Sequence, residues 1–447
     1  MSLYLIPARQ STSQRKSTQL LRMLCCAMLV QAFSLISQTA LAQSNPQRQA
    51  QLPWWDRAEM RNIGNYWIKT DLPADQANQL ARHLNLMHDE YSRRLASLPP
   101  RSPTPMNVMI FKHRREYMDV LRTRFGVNAT GTGGMFFVNP SGTSLAFWTE
   151  TLPQRRILEV LQHEGFHQFA YTRFGSDLPA WVNEGLAEFF SESVLVNKTF
   201  IIGQSKPRVI NAVKKAIELN QHIPLRQMLM MTRKTWGEAL VSGTASLQYH
   251  QAWSMVHFLV YGDNGRYTQS FEAYLRLINS GVQSEQAFIR AFETDDIEAF
   301  ENRWKIYALA ANPSGFVTAL ERIEFLAQGA LELSGLGISP KSADELQQEL
   351  IKINFKYIVQ KHGREFQLSA TDPQMFQIPD DDLAQDKPIF VIEPAKLRGL
   401  SRRQLKFEEV NPTPPSIKTE NLRPKSLTIR WKRDRKTGDL RYEIIVK

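Results

Sequence analysis

The stretch "LQHEGFHQFA", residues 161–170, sets two histidines four positions apart, with a glutamate directly after the first. Upstream, Thr151 and Pro153 are residues that start helices. Ile157, Leu158, Leu161, Phe166 and Phe169 recur along the segment as an apolar side. On a helix, positions 163 and 167 face the same way, with Cβ atoms about 5–6 Å apart. Two imidazoles so placed reach a single zinc ion at about 2.0–2.1 Å. Glu164 points about a quarter-turn aside, where it meets a water without becoming a ligand. The plainer alternative is a partly exposed helix with two incidental histidines.

A second stretch, "WVNEGLAEFF" at 181–190, bears on that choice. It reads as a helix beginning near Pro179, with Trp181, Val182, Leu186, Phe189 and Phe190 apolar. Gly175 and Ser176 break the chain between the two helices, so the second is free to fold back across the first. Glu184, 17 positions after His167, then completes a His₂Glu donor set and leaves a fourth position for water, as a catalytic site requires. Glu188 follows one turn later. Otherwise both carboxylates belong to a solvated helix face.

Around this pair the pattern is mixed. Residues 65–73 and 106–111 read as strands, 74–98 as an amphipathic helix with Leu80, Leu84, Met87 and Tyr91 on one face, and the segment after His113 as another helix. The glycines and the Asn-Pro-Ser-Gly turn within 131–149 predict a β-hairpin. An extended peptide could lie along its edge strand. From Pro153 to about Asn312 nearly everything reads as helix. A further helix is predicted at 317–334, with strands near 354–360 and 365–370, a Pro-rich acidic connector, and a closing hairpin at 426–446.

Charge is unevenly spread. The net charge of +11 resolves into +4 over residues 1–42, +9 over 396–447 and −2 over everything between. A neutral main body gives no footprint for nucleic acid. The first 42 residues join a basic leader to an apolar run ending in small residues. Ala40 and Ala42 occupy the −3 and −1 positions of a secretory cleavage site, although an Arg- and Ser-rich leader also suits an organellar transit peptide. Both cysteines, Cys25 and Cys26, fall in this segment, so the expected mature chain has no thiol and no disulfide. The basic terminal segment is a solvated face or a weak contact with an anionic surface. His83, His88, His113 and His362 have spacing or contexts that suit structural or solvated roles.

The paired motifs, His163-Glu164-x-x-His167 and Trp181-Val-Asn-Glu184-Gly-x-Ala-Glu, resemble the gluzincin metallopeptidases and, among them, the broad bacterial group called peptidase-MA-like. The likeness spans roughly residues 60–310. It implies an α+β fold, a zincin-like catalytic domain of a small mixed sheet and a helical subdomain, with a small C-terminal α/β accessory region. The corresponding division is a signal segment at 1–42, a β-rich subdomain at 43–152, a helical subdomain with the zinc site at 153–312, and the accessory region at 313–447. His163, His167 and Glu184 are implied as zinc ligands and Glu164 as general base and acid. By likeness to gluzincin aminopeptidases, Tyr249 in "SLQYHQAWSMVHFLVYG" (246–262) takes the role of oxyanion donor, with His250, His257 and Tyr261 as neighbouring rivals. The metzincin pattern is excluded, because positions 170 and 173 are Ala and Arg. "GTGGMFF" departs from the aminopeptidases' Gly-Ala-Met-Glu-Asn stretch, which removes the glutamate that holds a free substrate amine. The expectation is a secreted or periplasmic zinc peptidase acting on peptide or protein substrates through a zinc-activated water, more an endopeptidase than an exopeptidase. A cell-wall peptide hydrolase on the same site, or a non-catalytic binding protein on this fold, are the alternatives.

Overall fold

The run MNVMIF has an apolar residue at every position but Asn107, as a strand covered on both faces requires. In a computed structural model of the chain it is β3 (Met106–Phe111), the middle strand of a five-stranded sheet. The structure describes residues 52–101, 106–139, 142–196, 199–204, 206–241, 245–361, 364–379, 386–395, 412–434 and 438–447. The expected signal segment, His362 and the basic residues 396–411 lie outside them. The chain divides into two units at Arg57. The described part of the first contains one helical turn, Trp54–Arg57.

The sheet runs β1 (Glu59–Ile63), β2 (Tyr66–Thr70), β3, β5 (Gly142–Trp148), β4 (Gly134–Asn139). The inner pairings β2–β3 and β3–β5 are parallel, and the outer pairings β1–β2 and β4–β5 are antiparallel. Helix α1 (Ala74–Arg94) makes the crossover from β2 to β3, and α2 (Arg114–Phe125) follows β3. Alternation sorts the strand residues. Tyr66, Ile68, Val108, Ile110, Leu145 and Phe147 share a core with Leu80 and Leu84 of α1 and with Val160 and Leu161. The opposite face of β3 presents Phe111, whose ring meets Tyr117 of α2 at 5.7 Å.

The helical half contains α3 (Gln154–Phe174), α4 (Ala180–Ser191), α5 (Pro207–Glu218), α6 (Leu225–Met230), α7 (Arg233–Val241), α8 (Ser246–Gly265), α9 (Thr268–Asn279), α10 (Ser284–Phe292) and α11 (Ile297–Ala310). The expectation of nearly continuous helix here needs one correction: β6 (Val194–Val196) and β7 (Thr199–Ile201) form a small hairpin between α4 and α5. Beyond it, α12 (Gly315–Gly335) and α13 (Ala343–Lys352) lead to the β8 (Lys356–Lys361)–β9 (Arg364–Ser369) hairpin. A four-stranded sheet follows, of β10 (Ile389–Glu393), β11 (Ser416–Glu420), β12 (Leu427–Arg433) and β13 (Leu440–Val446). Ile417 and Leu427 of that sheet are fully buried in one core with α12. The fold is α+β. Among the described residues no helix is long and apolar enough to cross a membrane.

A buried ion cluster joins α3 to α12. Arg155 Nε lies 2.6 Å from Glu324 Oε2, and Arg155 also pairs with Glu159. Lys206 Nζ lies 3.0 Å from Glu159 Oε1 and 3.1 Å from Glu192 Oε2. The Glu159, Glu192, Glu324 and Lys206 side chains are almost wholly buried, and Arg155 is mostly so. Removing one member would strand its partner's charge out of water, at a cost of about 3–5 kcal/mol.

Candidate metal centre

Helices α3 and α4 carry the candidate ligands, and their crossing is fixed by identifiable contacts. Gly175 ends α3 at φ +58°, a conformation that side-chain-bearing residues rarely adopt, and Pro179 precedes α4. Gln162, buried on α3, donates from Nε2 to the carbonyls of Phe190, Ser191 and Ser193 at 3.0, 2.8 and 3.1 Å. Its Oε1 lies 2.8 Å from His83 Nε2. On its other side α4 meets α8 at Gly185. A Cβ there would stand 2.7 Å from the Ala252 carbonyl oxygen and 2.8 Å from Val256 Cγ2. The glycine in "NEGLAE" is therefore a requirement of close helix packing beside Glu184.

This crossing brings His163, His167 and Glu184 together. Their Nε2 atoms are 3.1 Å apart, and Glu184 Oε2 stands 3.4 Å from each. Tetrahedral zinc with bonds of about 2.0–2.1 Å requires ligand atoms about 3.3–3.4 Å apart, so the triangle has the dimensions of one coordination face. Glu184 Oε2 is buried and makes no regular hydrogen bond among the described residues, as befits an oxygen that could serve a cation. Two neutral-capable imidazoles and one carboxylate are also a donor set suited to zinc. These residues fit a zinc ion.

Glu188 supplies the support. Its Oε1 lies 3.1 Å from His163 Nδ1, and the carboxylate is 2% exposed, so it is not on the solvated face that sequence alone allowed. Holding the far ring nitrogen fixes which nitrogen would face a cation. His167 Nδ1 has no protein partner among the described residues. Burial lowers the affinity of His163 for a proton, but Glu184 and Glu188 outweigh it and hold its pKa up at about 10. A divalent cation must displace that proton. Burial raises the Glu184 pKa, yet His167 and His163 together pull it well below the ordinary carboxylate range.

Glu164 stands apart from the triangle and accepts a hydrogen bond from the Phe136 amide at 2.8 Å. That amide belongs to β4, the sheet's edge strand and the first strand of the hairpin expected at 131–149. Gly134 permits the approach, since a Cβ there would lie 2.4 Å from Val160 Cγ1 on α3.

A cleft of about 340 Å³ opens beside the triangle, lined by His167 and Glu184 together with Tyr249. Two aromatic pairs border it: Phe136 with Tyr171, rings 5.8 Å apart, and Trp236 with Tyr249, rings 5.3 Å apart. Burial and then the Glu184 charge raise the Tyr249 pKa well above 10, which keeps its hydroxyl a neutral donor. The rivals are elsewhere. His257 has Nε2 3.0 Å from the Gly203 carbonyl oxygen and Nδ1 2.7 Å from Tyr307 Oη. Tyr261 is 40% exposed, and neither it nor buried His250 lines the cleft. His83 is buried, and His88 and His113 are half-buried, His113 against Glu150 at 2.8 Å. A second cavity, of about 370 Å³, is bordered by Leu158, Gln162, Glu324, Tyr442 and Val446 and contains none of the three candidate ligands.

Sequence reasoning gave Glu188 no role in the site and missed Gln162, the Phe136 amide and the α7 wall of the cleft. Only Glu188 left a signal, being one helical turn from Glu184.

Comparison with known proteins adds one match. A family described as "Protein of unknown function (DUF1570)" matches residues 157–280, a stretch that contains His163, Glu164, His167, Glu184 and Tyr249. No curated protein matches the chain.

Proposed function

We propose that the chain is a zinc-dependent peptidase of the gluzincin type, exported from the cytoplasm and cutting within peptides. One observation carries the reading: three donor atoms at 3.1–3.4 Å from one another, on two helices, beside a cleft. Zinc held by His163, His167 and Glu184 supplies Lewis acidity to a water and to a scissile carbonyl. Glu164, tethered by the Phe136 amide, takes the attacking water's proton and returns it to the leaving amine. Tyr249 keeps its proton and donates a hydrogen bond to the oxyanion. The outward edge of β4 pairs with the substrate backbone, and the aromatic pairs receive its side chains.

Export rests on the first 42 residues, and internal cleavage on the lack of an amine-binding glutamate in "GTGGMFF". The test is elemental analysis of the purified mature chain together with digestion of a mixed peptide library. About one zinc per chain is expected. Glu164→Gln should keep zinc and lose cleavage, whereas Glu184→Ala should lose both. Acetylating a substrate's amino terminus should leave its rate nearly unchanged. A wild-type protein free of zinc after growth with ample metal would refute the proposal.

A further inference from the structure

The cleft beside the donor triangle also carries a cation of its own. Arg233, Trp236 and Gly237, at positions i, i+3 and i+4 of α7, all line it, so one face of that helix forms a wall. Trp236 is buried against Tyr249, which fixes the helix beside the site. Gly237 leaves room: nothing lies within 4 Å of where its Cβ would stand. Arg233 is exposed, and no described carboxylate lies within ion-pair distance of it. Apart from His167 and Glu184 it is the one charged residue among those lining the cleft. The remaining lining is mostly aromatic or aliphatic. A guanidinium with open space beside it and no partner among the described residues presents a planar fork of N–H donors to whatever enters. The groups that match that fork are carboxylates and phosphates, and on an unmodified peptide the carboxylate is the one available.

We infer that Arg233 anchors a substrate carboxylate, and that the preferred substrates are peptides with an acidic group close to the scissile bond. This rests on the peptidase reading above. The carboxylate has two sources, an Asp or Glu side chain or the peptide's own C-terminus. In the second case cleavage falls near the carboxyl end. In both, Arg233 selects substrate and takes no part in bond breaking.

The experiment uses the zinc-loaded mature chain and one peptide sequence in four forms: Asp or Asn beside the cleaved bond, each with a free or amidated C-terminus. Loss of the recognised carboxylate should lower kcat/KM about five- to tenfold, mainly through KM, the range for a partly exposed charge-assisted contact. The arm that shows the drop identifies the source. Arg233→Gln should bring the acid-to-neutral ratio close to one, Arg233→Lys should restore part of it, and Arg233→Glu should favour a Lys-containing peptide. Zinc content and the thermal midpoint check that each variant is folded. Affinity of the same four peptides for Glu164→Gln, read from tryptophan fluorescence, should follow the same order. Equal kcat/KM for all four peptides, or a preference that survives in Arg233→Gln, would overturn the inference while leaving the peptidase reading intact. Arg233-dependent binding of the acidic forms without cleavage of any peptide by wild type would overturn the peptidase reading and leave only the carboxylate anchor.

Discussion

Replacing Gly185 with alanine isolates the link between helix packing and the candidate metal site. The added Cβ would meet the Ala252 carbonyl oxygen at 2.7 Å, about 0.7 Å short of an ordinary contact, and the Ala252 carbonyl carbon at 3.0 Å. The obstacle is backbone, which cannot rotate aside, so α4 and α8 must separate by a comparable amount. Overpacking of this kind costs about 1–3 kcal/mol. Alanine's better helix propensity returns about 0.8–1 kcal/mol. A net loss of up to about 2 kcal/mol is expected. Glu184 is the adjacent residue and moves with α4, whereas metal sites tolerate changes of only about ±0.2 Å. Zinc affinity should fall about 10–100-fold, the scale seen when a ligand's support is removed. Urea unfolding of the metal-free protein gives the first quantity, and competition with a chromophoric chelator gives the second. Gly335→Ala is the control, since nothing lies within 4 Å of its would-be Cβ. Wild-type stability and zinc affinity in Gly185→Ala would refute the packing account.

Glu188→Gln should weaken zinc about 10–100-fold in the same competition assay, because His163 loses the carboxylate that orients its ring. Tyr249→Phe should reduce kcat about a hundredfold with zinc content unchanged, while Tyr261→Phe should not, as steady-state kinetics with a fluorogenic peptide will report. Burial lowers the pKa of His83 and of His257 from 6.5 to about 4. In that window only the unfolded chain takes up these protons. Stability is therefore fully present above pH 6.5 and lost as pH falls towards 4, by up to about 3 kcal/mol per histidine. Denaturant midpoints measured from pH 7.5 to 4 should show the fall, and His257→Gln should make it shallower.

Much of the site could be read from the chain because it is built from local signals. Helix periodicity, Gly175 and Pro179 placed α3 and α4, and the His-His spacing put both candidate donors on one face. What could not be read depends on distant partners. Gln162 meets His83 across 79 positions and the end of α4 across about 30, and an isolated glutamine beside a histidine gives no hint of either. The strands β6 and β7 have three residues each, too few for an alternating pattern. In β1 only Met60 and Ile63 are apolar, because it is an outer strand. The acidic, proline-bearing composition around β10 and β11 outweighed five-residue strands whose buried positions are Phe390, Ile392, Ile417 and Thr419.

The cluster of Arg155, Glu159, Lys206, Glu192 and Glu324 restricts how this sequence can diverge. A change at Arg155 alone leaves Glu324 charged and short of its partner, and a change at Glu324 alone does the same to Arg155. Neutral drift therefore has to pass through paired substitutions, or replace the whole cluster by apolar side chains at once. In relatives, positions 155 and 324 should covary although 169 residues separate them. A chimera that takes α3 from one relative and α12 from another should fold only when both halves come with matching charges.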